Sequence, residues 1–343
     1  MIMAEFPYRF SVIVPTFNRL DEIRELLQSL ERQTLAKEKF EVIIVDDGST
    51  DETEAFVSGL IEAGTLNLSF YKQDHKGPGP ARNTGMEKAK GEYYIFVDSD
   101  CIADENWLKA YDLALTEPVA GFGGPDKVRS DFSPLQKAID YSMTSFITTG
   151  GIRGSSKKKI SKYYPRSFNM GVHADVYKKI GGFGTLRHGQ DIEFTHRIRS
   201  QGKTVKVMDA VVFHKRRTSL WRFFKQVYNW GVARINLYKI DKGMLEFIHF
   251  FPFLGTSLII AFLICLAIWP AVLLPFLAIG IGCLVAMGIH GIFKYKDIRV
   301  FAYIPFVVPI QILGYGLGFG GAFIRRVIFG GREKTGFVKN YYK

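Results

Sequence analysis

Cysteine is scarce in this chain of 343 residues: Cys101, Cys265 and Cys283 are the only three. Their spacing excludes a disulfide-stapled extracellular scaffold and a thiolate zinc site. The first ten residues hold no apolar stretch of signal-peptide length, so the first 240 are expected to stay in the cytoplasm. Asp, Glu, Lys and Arg are missing altogether from 247–293 and again from 300–324. A spanning helix takes roughly 20 apolar residues. The first run therefore fits a two-helix hairpin turning near Trp269-Pro270, and the second fits one more segment. Buried core helices alternate polar and apolar faces, and these runs do not. The net charge of +12 comes without a nucleic-acid recognition motif, so no nucleic acid is expected as a partner. Basic residues cluster at Lys157-Lys158-Lys159, at Lys215-Arg216-Arg217 and after Ile324, which favours the cytoplasmic side and anionic membrane lipid.

What is present in the first hundred residues is alternation of strand and helix signals. Apolar runs at 10–14, 41–45, 68–71 and 93–97 predict four buried strands. Between them, Leu20, Ile23, Leu26, Leu27 and Leu30 recur at helical spacing. Ser49 with Glu52 has capping-box form before a helix carrying Ala55, Phe56, Leu60 and Ile61. A helix is predicted from about Ala81 to Ala89. Such alternation implies parallel strands with crossovers, and ligands bind such sheets beyond the strands' carboxyl ends. Three of the four strands end there in polar groups: Thr16 and Asn18, Asp46 and Asp47, Asp98 and Asp100. Farther on, helices are predicted at 133–149 and 190–201, a Gly-, Ser- and Lys-rich loop at 150–162, and a strand at 203–213 closed by His214. Residues 219–239 are aromatic and basic, an amphipathic stretch suited to a membrane interface or to the face of a core.

Several clusters could carry chemistry. Asp98-Ser99-Asp100 places two carboxylates on a turn after a buried strand. Their repulsion calls for a cation, and a hard divalent ion with oxygen ligands supplies it; a plain turn or helix cap is equally compatible. Asp46-Asp47-Gly48-Ser49 can accept from a base or ribose, or cap the next helix. Gly77-Pro78-Gly79-Pro80-Ala81-Arg82 opens a helix whose N-terminus attracts phosphate, and Arg82 suits a diphosphate. Gln190-Asp191-Ile192-Glu193 starts another helix, where a carboxylate is dipole-stabilised and becomes a base candidate if it shares a cavity with Asp100. His214 is a candidate ligand or a structural histidine.

Together these pieces resemble the large family 2 of inverting glycosyltransferases. Val12-Ile13-Val14-Pro15-Thr16-Phe17-Asn18-Arg19, Val45-Asp46-Asp47-Gly48-Ser49-Thr50-Asp51, Ala81-Arg82-Asn83-Thr84-Gly85, Ala89-Lys90-Gly91-Glu92-Tyr93 and Val97-Asp98-Ser99-Asp100 follow the family's order, and the resemblance covers roughly residues 9–215. It implies an α/β GT-A fold, Rossmann-like and mostly parallel with flanking helices, followed by an interfacial amphipathic helix and C-terminal transmembrane helices. It implies nucleotide binding by Pro15, Thr16, Asn18, Asp47 (nucleobase), Arg82 and Asp98 (ribose or metal). Asp100 and His214 would hold Mg or Mn, and Asp191 would be the catalytic base. Gln190 stands where the family usually keeps Glu. Gln190, Glu193 and Trp230 mark an acceptor region. Gln226-Val227-Tyr228-Asn229-Trp230 falls where processive members carry Gln-x-x-Arg-Trp, and Asn229 in place of the arginine argues against a polymerising synthase.

The implied reaction moves a sugar from a UDP- or GDP-sugar to a hydroxyl of a membrane-associated, lipid-linked acceptor in cell-surface glycan biosynthesis. Lys157, Lys158 and Lys159 would meet an acceptor phosphate or simply be solvated. Alternatives are a synthase that glycosylates a polyprenyl phosphate and needs no base, and a non-enzymatic nucleotide-sugar-binding membrane protein. The expected organisation is a catalytic domain at 1–216, an interfacial helix region at 217–246, membrane segments at 247–269, 271–293 and 300–324, and a basic tail at 325–343. The expected location is the cell membrane, multi-pass, with the catalytic domain cytoplasmic; the charge rule disfavours a third full crossing.

Overall fold

Strand β1 (Tyr8–Thr16) is apolar without alternation, and seven of its nine residues are buried. A strand with this pattern is covered on both faces. The computed structural model, which describes residues 6–129, 131–145, 148 and 163–337, places β1 between β2 (Phe40–Asp46) and β4 (Gly91–Phe96), parallel to both. With β3 (Leu68–Lys72), β6 (Gly121–Gly123), β8 (Met170–His173) and β9 (Thr204–Lys206) they form a seven-stranded sheet of order β3-β2-β1-β4-β8-β6-β9. β8 runs antiparallel to both β4 and β6. Side chains alternate across a strand. Phe10, Val12 and Val14 therefore pack with α1 (Leu20–Glu31), α2 (Thr53–Ala63) and α4 (Trp107–Ala114). Ile13 packs on the other face with α3 (Pro78–Lys88) and α7 (Gln190–Gln201), reached through α6 (Ala174–Ile180).

Two expectations change in detail. Helix α3 begins at Pro78 rather than near Ala81, because proline at the first helical position loses no hydrogen bond. The Ser49–Glu52 capping box does not form: α2 starts at Thr53, and the Ser49 hydroxyl instead bonds Asp46 and accepts from the Asn18 N–H at 2.8 Å. A third expectation is corrected outright. The strand predicted at 203–213 is two strands, β9 in the main sheet and β10 (Val212–His214) in a second sheet of order β5-β10-β7, with β5 at Cys101–Ala103 and β7 at Asp126–Lys127. The break at 207–211 lets the chain leave the edge of one sheet and enter the other.

The chain divides into two compact units: of the described residues, one holds 6–127 and 163–215, the other 128–129, 131–145, 148 and 216–337. Helix α5 (Pro134–Thr144), capped by Ser133 and Gln136, thus belongs to the second unit, although it lies within the 1–216 span expected for one domain. The loop at 150–162, with Lys157, Lys158 and Lys159, lies outside the described residues, as do Lys339 and Lys343.

The second unit holds α8 (Leu220–Ile240), α9 (Phe251–Ile268), α10 (Pro270–Tyr295) and α11 (Ile304–Phe323). The hairpin between α9 and α10 turns at Trp269, as the sequence suggests. Segments 247–268, 270–295 and 304–328 are each long and apolar enough to cross a membrane. On α5, Asp140 accepts from Arg216 at 2.7 Å and from Tyr295 at 2.6 Å, while Lys137 pairs with Asp297 at 3.0 Å. Arg299, with Lys137, holds the Asp297 carboxyl well below the usual carboxylate range.

The amphipathic face of α8 is not turned outward. Phe223, Val227, Val232 and Ile235 are buried, and the helix packs closely on α11 through glycines. A Cβ on Gly318 would stand 2.1 Å from the Tyr228 carbonyl oxygen, and one on Gly231 the same distance from that of Tyr315. Such small residues let two backbones approach. Gly318→Ala is therefore expected to destabilise the second unit by about 1–3 kcal/mol, the usual range for overpacking. Gly280→Ala, with nothing within 4 Å, should change little. Thermal unfolding of the two variants in detergent checks the contrast.

Candidate active site

The carboxyl ends of β1, β2 and β4 meet at one edge of the main sheet. Pro15 and Thr16 lie opposite Val45 and Asp46, and the Thr16 carbonyl accepts from the Asp47 N–H at 2.9 Å. Asn18 takes a left-handed backbone with φ of 50°, and its side-chain oxygen accepts from the Thr50 N–H at 2.8 Å. Asn18 thereby ties the loop after β1 to the loop after β2. Asp47 is buried, and its oxygens accept from Gln73 Nε2 (2.8 Å) and from the backbone N–H groups of Lys76 (2.9 Å) and Gly77 (2.7 Å). His75 Nδ1 stands 2.9 Å from the same carboxylate. The His75 ring stacks on Phe17 with centroids 4.1 Å apart. These loops border an open cleft of about 700 Å³ lined by Gly48, Lys72, Gln73, Asp74, His75 and Lys76.

Asp98 and Asp100 follow β4 and take different partners. Arg82, buried on α3 beneath the Phe183 ring, pairs with Asp98. Asp100 meets Arg19 Nη1 at 3.1 Å and His214 Nε2 at 3.3 Å. The second contact is a consequence of register: β10 pairs antiparallel with β5 so that His214 faces Cys101, the neighbour of Asp100.

Asp100, Cys101 and His214 bring ligand atoms within 4.8 Å of one another. Two ligands in adjacent positions of an octahedral ion at about 2.1 Å stand about 3 Å apart, close to the Asp100–His214 separation. The oxygen–nitrogen pair thus fits a Mg- or Mn-type ion. The thiol does not, because burial and the neighbouring carboxylates push the Cys101 proton affinity well up, and a neutral thiol is a poor ligand for a hard cation.

Asp191 stands at the start of α7, where its Oδ2 meets Arg166 Nη1 at 3.2 Å. Gln190 is buried, donates to the Gly184 carbonyl at 2.8 Å, and fills the space beside Gly79, where a Cβ would come 2.6 Å from its Nε2. The N-termini of α7 and α3 are thereby brought together, one carrying Asp191 and the other leading to Arg82. Glu193 pairs with Arg197 at 2.6 Å, and Arg197 donates to the carbonyls of Ile180 and Gly182, so this acid braces the loop before α7. Trp230 lies in the second unit, packed into the apolar cluster of α8 that includes Phe223 and Val227.

Four side chains at the site were not singled out in the sequence. Arg19 sits inside the opening motif and could have been found there. Gln73, His75 and Arg166 carry no motif, and only the fold brings them to Asp47 and Asp191.

The mostly parallel sheet, with polar groups gathered at its carboxyl edge, has the GT-A fold. Residues 11–181 match the profile described as Glycosyl transferase family 2, and the chain belongs to that family. It is 44% identical over 101 residues to the poly(ribitol-phosphate) beta-N-acetylglucosaminyltransferase TarS of Staphylococcus aureus, a match covering 29% of this chain and 18% of TarS. It is 27% identical over 257 residues to the dolichyl N-acetyl-alpha-D-glucosaminyl phosphate 3-beta-D-2,3-diacetamido-2,3-dideoxy-beta-D-glucuronosyltransferase of Methanococcus voltae, covering 71% of this chain and 77% of that enzyme. Among solved structures, the mannosyltransferase PcManGT of Pyrobaculum calidifontis, in complex with GDP-Man and Mn2+, superposes with a TM-score of 0.60 at 19% identity, covering 89% of this chain and 87% of that one.

Asp100→Ala and His214→Ala are each expected to weaken Mn2+ binding at least about tenfold, ~1.4 kcal/mol, and Cys101→Ala to leave it nearly unchanged. Titration of free Mn2+ by its electron paramagnetic resonance signal reads all three.

Proposed function

We propose that this protein is an inverting glycosyltransferase that moves a sugar from a UDP- or GDP-sugar to a hydroxyl of a lipid-linked acceptor at the membrane. The observation that carries the proposal is the pairing of Asp100 with His214 at the sheet edge that holds Asp47, Arg82 and Asp98. The M. voltae relative's name specifies a dolichyl-phosphate acceptor and TarS a poly(ribitol-phosphate) one; both acceptors carry phosphate. Three apolar segments support a multi-pass membrane location, with the catalytic residues on the cytoplasmic side by the distribution of basic residues.

In this reading the Phe17–His75 pair and the cleft beside it receive the nucleobase, and Asp47 fixes the loop that shapes this end. Arg82, beside the N-terminus of α3, meets the diphosphate, and Asp98 turns to the ribose or the metal. Asp100 and His214 hold Mg or Mn, which when bound offsets the charge that develops on the leaving diphosphate. Asp191 accepts the proton of the attacking hydroxyl as it adds to the anomeric carbon opposite the leaving group, which inverts that centre. Arg166 keeps the Asp191 carboxylate oriented. Gln190 packs rather than titrates, so its replacement of the family's usual glutamate leaves Asp191 as the base.

Asp191→Asn is expected to lower kcat by about 10²-fold or more, the range for loss of a general base, with donor binding unchanged by calorimetry. Near-normal turnover would instead favour transfer to a lipid phosphate, which is already ionised. Arg166→Gln should lower kcat without raising the donor KM, and Arg166→Lys should recover part of the loss. The assay is nucleoside-diphosphate release from UDP- and GDP-sugars with Mn2+, with and without polyprenyl lipid, against an EDTA control. Release with no donor in the panel, despite nucleotide binding, would overturn the proposal.

A further inference from the structure

The three apolar helices of the second unit do not pack alike. In α9 and α10 no residue between Thr256 and Gly288 is buried, and Leu263, Val272 and Ile279 are more than half exposed. Helix α11 buries Ile304, Val307, Val308 and Phe319, among others.

Where α11 touches the hairpin decides its course. With α9 its hydrogen bond and close approaches lie in the first turns: Thr256 Oγ1 donates to the Ile312 carbonyl at 2.9 Å, and a Cβ on Gly320 would lie 2.6 Å from the Phe253 ring. With α10 it meets the last turns: a Cβ on Gly291 would lie 2.1 Å from Ile304. The first turns of α9 and the last turns of α10 are the same end of the hairpin. Both Ile304 and Gly320 therefore lie at its base, although about 24 Å of helix rise separates them. A helix crossing beside the hairpin would carry Gly320 toward the tip at Trp269.

The chain after α11 stays at that end. Arg326 Nη1 donates to Asn236 Oδ1 at 2.8 Å, and Asn236 Nδ2 to the Lys334 carbonyl at 2.9 Å. The Phe337 N–H donates to Asn229 Oδ1 at 3.1 Å, and its ring lies 4.8 Å from that of Tyr228. All of these partners are on α8, which precedes the hairpin. Asn229, standing where processive relatives keep an arginine, is used here to hold the tail.

The geometry points to a chain that crosses the bilayer twice, not three times: α9 and α10 span as a hairpin, while α11 lies with α8 as a platform against the bilayer surface on the catalytic side. This rests on the membrane location proposed above. The catalytic residues and α8 come before the hairpin in the chain, and among the described residues that precede it none forms a candidate span. The topology leaves Lys294, Lys296, Arg299, Arg325, Arg326 and Arg332 on one side, as the charge rule prefers. A third crossing would separate the last three from the others. Trp221, with Lys225 over its ring at 5.0 Å, gives the platform the aromatic and basic character of the headgroup layer.

The test uses the full chain in native membranes, with Cys265 and Cys283 changed to serine and the buried Cys101 kept. Single reporters are Gly59→Cys in the catalytic unit, Val272→Cys at the hairpin tip and Arg332→Cys in the tail. Each is exposed to a membrane-impermeant maleimide in right-side-out and in inside-out vesicles. We expect Gly59→Cys and Arg332→Cys to label in the same vesicle population and Val272→Cys only in the other. Labelling of Arg332→Cys together with Val272→Cys would establish a third crossing and overturn the inference. Labelling of all three reporters from one side would overturn the hairpin as well. Neither outcome depends on catalysis, so a failed transferase assay leaves this test intact.

Discussion

One buried amide, Asn169, is the point on which the catalytic unit turns. Its side-chain oxygen accepts from Trp107 Nε1 at 2.8 Å and from the Tyr111 hydroxyl at 2.6 Å, while its nitrogen donates to the carbonyls of Pro125 and Ala210 at 3.1 and 2.9 Å. Every bond an amide can make is made, in a site closed to water. Burial pushes the Tyr111 proton affinity well up, so the phenol remains a neutral donor. An unmet buried donor or acceptor costs about 1–3 kcal/mol, and the Trp107 indole, the Tyr111 hydroxyl and the Ala210 carbonyl would each lose this partner if the side chain were lost, while the Pro125 carbonyl would keep the Val212 N–H at 3.3 Å. The amide fixes the loop entering β7, the crossover at 207–211 that delivers β10, and the tight turn in which the Asn169 N–H returns to the Arg166 carbonyl. Through the crossover it sets His214 against Asp100, and through the turn it sets Arg166 against Asp191.

Nothing in the sequence marks Asn169, and that absence explains the uneven legibility of the site. The strands at 10–14 and 41–45 could be read because a strand buried on both faces is an unbroken apolar run, and the carboxylates at their ends because polar residues interrupt such runs abruptly. Local chemistry thus disclosed Asp47, Asp98 and Asp100. The partner of each was legible only where motif and partner are neighbours in sequence. His214 stood out only as a candidate ligand closing a strand, and resemblance alone tied it to Asp100, because the pairing of β10 with β5 is a long-range register. The run at 203–213 looked like one strand because Val207 and Val211 are apolar, yet those side chains pack beneath a bend. The Ser49 capping box failed for a similar reason: its hydroxyl had a better partner in Asp46, three residues earlier.

In the second unit, composition and packing diverge. Apolar length disclosed three membrane-competent segments, but length does not distinguish a helix that faces lipid from one that faces protein. In a helix, glycine both loosens the backbone and leaves room for a neighbour, and the last segment carries glycines at 314, 316, 318 and 320. In the structure they are where neighbouring backbones and side chains come close, Gly318 to Tyr228, Gly316 to Pro252 and Gly320 to Phe253. The same property, a missing side chain, serves either purpose. Only the partner decides, and the partner α8 is more than seventy residues upstream.

The charges of the site follow one scheme. Asp98 pairs with Arg82, Asp100 with Arg19 and Asp191 with Arg166. Each of these three carboxylates is matched by a guanidinium in the resting protein, which offsets the cost of holding an anion in a partly buried edge. A nucleotide sugar arriving with a divalent cation brings both signs at once. In the proposed reaction Asp100 would hold the cation and leave Arg19 free for phosphate, and Arg82 would exchange Asp98 for the diphosphate. Guanidinium suits such exchanges better than ammonium, because its planar fork holds two oxygens at once and it is less strongly hydrated. At Asp191 no incoming cation is called for. There, in the proposed reaction, the pair with Arg166 would persist until the acceptor hydroxyl arrives, which would keep the carboxylate aimed and confine the exchange of partners to the donor half of the site.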